Sequence, residues 1–230
     1  MSDREPIPPD YDQNPERFQL ARAVLRQHAL ALDVHEQVAR RLLRDGLVPV
    51  LDVGCGDGEL ARHLPDGTWT GVDSSPEMLA RAPEPTVCAD ARALPFPDES
   101  FGSVALLYVL YHLPDPGAAL GEASRVLRSG GAVAVAVPSS DDSPELAHAL
   151  PRRALTVDAE LAPALLEGLF DDVQVEGWDA PLIELPDRDA VCAYLIGKGV
   201  PEREAAEAAK SVALPMTVTK RGALLFGRKR

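Results

Sequence analysis

A glycine-rich turn flanked by carboxylates is the stretch of this 230-residue chain whose residue types are best suited to binding a ligand. In "LDVGCGDGEL", residues 51–60, glycines occupy positions 54, 56 and 58, and acids occupy positions 52, 57 and 59. Glycines let a backbone turn sharply and approach a ligand closely. A turn of this kind before a helix ordinarily binds phosphate through free N–H groups and the helix dipole. Because the stretch holds three carboxylates and no Lys or Arg, it argues against a phosphate ligand.

The elements that must position this turn alternate between strand and helix patterns. One run, "AVAVAVP", is continuously apolar, as expected for a strand buried on both faces of a parallel sheet. The alternation predicts an α/β fold, a doubly wound, Rossmann-like, mostly parallel sheet of seven strands with helices on both faces. The predicted strands are "VPVLDV", "WTGVD", "TVCAD", "SVALLY", "AVAVAVP", "DVQVEGW" and "ALLFGR".

Helix signals place further elements around the sheet. A helix is predicted from Pro15 to Ala31, and a second begins at an Asp33 N-cap that forms a capping box with Glu36 and ends at Gly46. A short helix "ELARHL" follows the glycine turn, and "DPGAALGEASRVLRSGG" reads as a helix closed by glycine. Two helices, "DAVCAYLIGKG" and "EREAAEAAKSVA", precede the last strand, where they could form a lid.

Composition and charge exclude several classes of protein. With 46% hydrophobic and 26% charged residues, the chain is typical of a globular protein, and its net charge of −13 disfavours nucleic acid as a partner. The three cysteines form no CxxC pair, so we predict neither a disulfide framework nor a metal site. The polar N-terminal residues do not resemble a signal peptide, and the longest apolar run is too short to span a bilayer, so we expect a cytoplasmic protein with no membrane partner.

Acids at the ends of the next two strands favour a nucleoside ligand. Ligands of doubly wound sheets bind beyond the carboxyl ends of the strands, where strand order reverses. Asp73 ends the second strand, about 20 residues after the first glycine, where an acid can bind both ribose hydroxyls. Asp90 ends the third strand, where it would face the edge of adenine.

Two nucleoside cofactors fit this arrangement. Residues 56–61 match the dinucleotide pattern G-x-G-x-x-A, but a pyrophosphate beside Asp57 and Glu59 would meet like charge. S-adenosylmethionine has no phosphate, carries a sulfonium cation, and has an ammonium group that Asp52 would attract. The acidic turn therefore favours S-adenosylmethionine.

Four stretches in the same order resemble the class I S-adenosylmethionine-dependent methyltransferases, and most of all the group called methyltransferase type 11. They are "VLDVGCGDGEL", "GVDSSPEML", "CADARALPFPDESFGSV" and "EASRVLRSGGAVAVAVP", and the resemblance covers about residues 33–140. Gly102, Ser103 and Ser129 depart from the family pattern at positions that affect the sheet and turns. The resemblance implies a set of cofactor-binding residues: Asp52, Gly54, Cys55, Gly56 and Gly58 for methionine and ribose, Asp73 for the ribose hydroxyls, Ser74, Met78, Asp90 and Ala91 around adenine, and Leu107 beside the sulfonium.

Methyl transfer from a sulfonium is an in-line displacement, which needs alignment and desolvation more than it needs a base. A base helps an alcohol or phenol acceptor. We predict three candidate catalytic residues: His112 and Tyr111, just after the fourth strand, and Tyr11, because the N-terminal segment covers the sulfonium in many relatives. A structural role is the alternative for His112. Cys55 is interpreted as a small filler, and His35, His63 and His148 are expected at the surface.

The sequence thus predicts a methyltransferase that transfers a methyl group from S-adenosylmethionine to O or N of a small-molecule acceptor. The alternatives are an RNA or protein methyltransferase, a nicotinamide-dependent oxidoreductase and a non-catalytic cofactor-binding protein. We expect a single domain over 1–230, with a helical cap at 1–45, a cofactor-binding core at 46–140 and a C-terminal part at 141–230 that contains the lid-like insert. Neither the acceptor nor the oligomeric state can be inferred from the sequence.

Overall fold

A sheet of seven strands organises residues 14–30, 33–151 and 155–230, which are the residues that the computed structural model describes. Its order is β3-β2-β1-β4-β5-β7-β6, so the chain reverses direction across the sheet between β1 and β4. The first five strands run parallel, and β7 lies antiparallel to both β5 and β6. The predicted fold class is confirmed. The strands are β1 (Val50–Val53), β2 (Trp69–Asp73), β3 (Thr86–Cys88), β4 (Phe101–Leu107), β5 (Leu127–Pro138), β6 (Phe170–Leu185) and β7 (Met216–Lys229).

Seven α-helices accompany the sheet within the described residues. They are α1 (Pro15–His28), α2 (Val34–Arg44), α3 (Pro76–Leu79), α4 (Pro116–Val126), α5 (Ala162–Glu167), α6 (Arg188–Gly197) and α7 (Glu202–Ser211). Among these residues, no helix has the length and apolar content to cross a membrane.

The N-cap of α2 differs in detail from the prediction. Asp33 caps the helix, but its carboxylate accepts from the N–H of His35 at 2.7 Å. The Glu36 carboxylate pairs with Arg40, four residues along the exposed face, at 2.5 Å. The predicted N-cap is therefore right, whereas the reciprocal contact of a capping box is replaced by an ion pair along the helix.

Two other helix predictions differ from the structure in type or length. The short helical stretch after the glycine turn is present as a 3₁₀ turn, Leu60–His63. Helix α4 stops at Val126, before the glycines, because Leu127 already pairs with Phe101 as the first residue of β5. Strand pairing therefore overrides the local glycine signal.

Crowding at the start of β4 explains two departures from the family pattern. A Cβ atom on Gly102 would lie 2.7 Å from the carbonyl oxygen of Val48, so only glycine fits there. The Ser103 hydroxyl donates to the carbonyl of Leu47 at 2.7 Å. Both residues let the segment that leads into β1 pack directly on β4.

Three apolar clusters bury the sheet and the peripheral helices. One lies between the sheet and α4 and α5, and another lies between the opposite face and α2. The third joins α1, α6 and α7 to Ile183 and Leu185 of β6. We call these three helices the helical layer. The predicted N-terminal helix and the predicted insert before the last strand thus form one packed unit.

Candidate functional site

The glycine turn follows β1 at the point where strand order reverses. Gly54 and Gly58 adopt φ angles of 72° and 77°, which side chains of L-residues rarely adopt. A Cβ atom would lie 2.3 Å from Val109 at the first position and 2.5 Å from Pro83 at the second. The N–H of Gly54 donates to the carbonyl of Val72 in β2 at 2.7 Å. The turn therefore has a fixed shape that requires glycine at both positions.

Asp73, at the end of β2, is held beside this turn by backbone donors. Its carboxylate accepts from the N–H groups of Gly56 and Ser75, each at 2.9 Å. The first bond ties the acid to the glycine turn, and the second ties it to the N-cap of α3. The carboxylate is thus positioned before any ligand binds, and its predicted contact with ribose hydroxyls stays a prediction.

Asp52 lies beneath the turn, in the middle of the sheet. It is only 4% exposed, and its carboxylate accepts from the indole N–H of Trp69 at 3.2 Å. Burial raises its pKa to about 6, although the nearby His35 and the Trp69 hydrogen bond both lower it. A carboxyl group whose pKa lies this close to neutral pH would lose its proton more readily when a cation binds beside it. The predicted contact with the cofactor's amino-acid part stays a prediction.

The other two acids of the turn contact the helical layer. The Glu59 carboxylate pairs with Arg22 of α1, and it also lies 3.4 Å from Arg26 and 3.6 Å from Arg62. These arginines offset the charge of Glu59, which weakens the argument that this acid would repel a pyrophosphate. Arg22 and Arg26, one turn apart on the predicted first helix, were the available sequence signal for this contact.

Asp57 retains an unsatisfied oxygen. Its Oδ1 atom is buried, lies 3.9 Å from the nearest Arg22 nitrogen and accepts no hydrogen bond from the residues that the structure describes. A buried acceptor without a donor is costly, so such an atom marks a place where a ligand donor fits. An ammonium or hydroxyl group suits this oxygen, whereas a phosphate does not. The site therefore fits a cationic nucleoside such as S-adenosylmethionine.

The predicted adenine side holds residues of mixed exposure. Ser74 is exposed, whereas Met78 is 1% exposed and Ala91 is 9% exposed. Arg92 grips both carboxylate oxygens of Asp90, at 3.0 and 2.6 Å, and these bonds lower the pKa of Asp90. Adenine would have to share Asp90 with this guanidinium, so that assignment stays a prediction.

The end of β4 brings two of the three candidate catalytic residues together. Leu107, the last residue of the strand, is 6% exposed, and Tyr108 follows it with a strained φ of 62°. The rings of Tyr111 and His112 lie 4.3 Å apart. Burial raises the pKa of Tyr111 to about 12, so at neutral pH its hydroxyl is a hydrogen-bond donor. Tyr11, the third candidate, lies outside the described residues.

Two histidines expected at the surface are half-buried. His35 contacts Asp33 through Nδ1 at 2.5 Å, and its ring centroid lies 6.3 Å from that of Tyr108. His63 has a buried Nε2 atom that forms no hydrogen bond within the described part of the chain. Only His148 is exposed, as expected. The Asp33-x-His35 spacing at a helix start was the one sequence signal for the position of His35.

For Cys55, burial raises the pKa of the thiol, which agrees with its interpretation as a filler.

Comparison with known proteins finds a family match and relatives for this chain. Residues 51–135 match the family model described as a methyltransferase domain. A demethylmenaquinone methyltransferase of Roseiflexus castenholzii is 43% identical over 95 residues, which are 36% of this chain and 40% of that protein. A 27-O-demethylrifamycin SV methyltransferase of Amycolatopsis mediterranei is 32% identical over 149 residues, covering 59% of this chain and 52% of that protein. The chain thus spans about half or less of the length of these relatives.

A solved structure extends the similarity beyond the matched stretch. The YcgJ protein of Bacillus subtilis superposes with a TM-score of 0.61 at 19% identity, over 84% of this chain and 99% of that one. At this identity the match shows the fold alone. The matched stretch holds the glycine turn, Asp73 and the end of β4, so the similarity is centred on the site described above.

Proposed function

We propose that this chain, whose residues 51–135 match a methyltransferase domain, is an enzyme that transfers a methyl group from S-adenosylmethionine to O or N of a small-molecule acceptor. The cofactor, when bound, supplies an electrophilic methyl group on a sulfonium. The protein's contribution is to hold the cofactor, align the acceptor and exclude water, since alignment alone can supply several kcal/mol.

Different residues would bind different parts of the cofactor. The backbone of the glycine turn allows close approach, and Asp73 supplies a fixed carboxylate for ribose. The unsatisfied Asp57 oxygen and the buried Asp52 charge favour the cationic part of the molecule. The observation that carries the proposal is Asp73, held by two N–H donors beside the glycine turn within the matched domain.

Residues that follow β4 are the candidates for accepting a proton from the acceptor. If the acceptor is a hydroxyl group, His112 is the candidate base, because imidazole exchanges protons near neutral pH. Tyr111 would contribute a hydrogen bond from its protonated hydroxyl. An amine acceptor would need no base beyond solvent.

Small-molecule acceptors are favoured over macromolecules by two observations. Demethylmenaquinone and demethylrifamycin, named in the two relatives, are small molecules. The net charge of −13 also opposes a nucleic acid substrate. We further propose a cytoplasmic location, which the three free cysteines support.

The test starts with binding. Titration calorimetry with S-adenosylhomocysteine and, separately, with NADH distinguishes the two cofactor classes, and we expect heat only with the first. Binding of NADH alone would refute the proposal in favour of an oxidoreductase.

Turnover is tested next with methyl-labelled S-adenosylmethionine and a cell extract separated by size. Label in the small-molecule fraction supports the proposal. Label in RNA or protein would overturn the substrate class, and cofactor binding without any labelled product would favour a non-catalytic protein.

A further inference from the structure

A polar cluster, whose two hydroxyl groups are buried, lies in the loop after β5 and on the elements packed against it, and it belongs to none of the predicted cofactor contacts. Its members are Asp142 and Ser143 in the loop after β5, Tyr194 and Lys198 at the end of α6, and Lys220 in β7. Ser143 and Tyr194 join their hydroxyls at 2.7 Å, and both residues are buried. The loop after β5 follows the carboxyl end of its strand, the edge of the sheet where the site lies. The cluster therefore borders the region where an acceptor must enter.

Two lysines in this cluster share one carboxylate. The Lys220 ammonium contacts Asp142 Oδ2 directly and also lies 3.2 Å from the hydroxyls of Ser143 and Tyr194. The other carboxylate oxygen of Asp142 accepts from the N–H of Arg221 at 2.9 Å. Both oxygens of Asp142 are thus engaged, and its single negative charge faces the positive charges of two lysines.

Lys198 supplies the surplus positive charge. Its ammonium lies 3.6 Å from Asp142 Oδ2, beyond hydrogen-bond distance, and 5.7 Å from the centroid of the Tyr194 ring. The side chain is 40% exposed, so solvent or a ligand can reach it. Among the described residues, no acid other than Asp142 forms an ion pair with it. A charge-assisted hydrogen bond from this ammonium is therefore available to a ligand.

Packing fixes Lys198 relative to the site. The residue before it, Gly197, presses against α1, where a Cβ atom would lie 2.9 Å from Ala21. Arg17 of α1 donates to the Gly197 carbonyl at 2.9 Å. The ion-pair partner of Lys198, Asp142, lies in the loop after β5, and β5 pairs through Ala136 with Leu107, the last residue of β4.

On the basis of the methyltransferase function proposed above, we propose that Lys198 is the anion-recognition residue of the acceptor site, and that the acceptor carries a carboxylate. An ammonium on a pinned helix end gives a strong, charge-assisted hydrogen bond to such a group. The protonated Tyr111 hydroxyl, in the segment after β4, would donate a second bond. Together they would hold an acidic acceptor so that its nucleophile faces the methyl group.

The test compares acids with their uncharged amides on protein loaded with S-adenosylhomocysteine. The probes are benzoate with benzamide and 4-hydroxybenzoate with 4-hydroxybenzamide, titrated by NMR. We expect each acid to bind the wild type about tenfold or more tightly than its amide. Lys198→Met should reduce this preference to less than about twofold, while Lys198→Arg should retain it. Thermal unfolding checks that each variant is folded.

A matched control and the contrary outcomes complete the test. Lys210→Met removes the same charge from an exposed lysine of α7 that pairs with Glu207, and it should leave the acid preference intact. An absence of acid binding, equal binding of acid and amide, or a preference that survives in Lys198→Met would each overturn the inference. Failure of S-adenosylhomocysteine to bind at the outset would instead refute the proposed function.

Discussion

Replacing Asp52 with asparagine tests the buried charge beneath the glycine turn. Asp52 is 4% exposed, and burial raises its pKa from 3.8 to about 6. A carboxyl group whose pKa rises on folding binds its proton more tightly in the folded state. Ionised Asp52 therefore destabilises the fold above pH 6, the penalty shrinks as the pH falls through 6, and it is gone below the unfolded value of 3.8.

The size of the effect follows from the pKa difference. A rise of about 2 corresponds to about 3 kcal/mol at 1.36 kcal/mol for each pKa unit. Part of this change in stability with pH can be measured. Between about pH 7.5 and pH 4.5, linkage predicts that the wild type gains about 2 kcal/mol of stability relative to Asp52→Asn, which has no proton to bind.

Urea unfolding of the cofactor-free protein across this pH range measures the effect. The difference between variant and wild type is the quantity of interest, because other acids such as Asp33, whose pKa is lowered to about 2, cancel in it. Asp66→Asn, at an exposed loop position, serves as the control and should give a flat difference. A difference for Asp52→Asn that stays constant within about 0.5 kcal/mol would refute the argument for a strongly raised pKa.

Three further substitutions test the rest of the site. Asp73→Ala should weaken S-adenosylhomocysteine binding by about 1–3 kcal/mol in a calorimetric titration, because ribose hydroxyls lose a charged acceptor, and an unchanged affinity would remove that role. Arg22→Ala leaves the buried Glu59 carboxylate with two weaker partners and should cost about 1–3 kcal/mol in urea unfolding. The matched Arg40→Ala, at an exposed pair, should cost less than about 0.5 kcal/mol, and equal losses would contradict the assignment. His112→Gln should lower turnover about 100-fold with cofactor affinity unchanged if His112 is the base, whereas a retained rate would make it structural.

The fold and the glycine turn after the first strand could be predicted because their signals are local. Strand runs alternate with helices along the chain, and the cap at Asp33 lies two residues from the group that it binds. The glycine turn and the acid that ends β2 are similarly compact in sequence. Such features depend on periodicity and short-range hydrogen bonds, which the residue order displays directly.

Features set by long-range contacts could not be predicted. The end of α4 depends on pairing between Leu127 and Phe101, and the ion-pair partner of Glu59 is Arg22, 37 residues away in the sequence. The surplus charge on Lys198 becomes visible only when the loop after β5 and β7 lie beside α6. In each case, the residue types suggest several partners, and only the packed structure selects one.

Helix α1 contacts both the glycine turn and α6, and this position bears on the order in which the ligands bind and leave. Arg22 joins this helix to Glu59 of the turn, while Arg17 joins it to the carbonyl before Lys198. In the proposed enzyme, a movement of α1 at the glycine turn would also move the helix end that carries Lys198. We expect the bound cofactor to fix α1 and so complete the acceptor site, so that the cofactor binds first and its product leaves last, in a compulsory order. Product inhibition by S-adenosylhomocysteine should then be competitive with S-adenosylmethionine and noncompetitive with the acceptor, whereas a random-order pattern would show that the two pockets open independently.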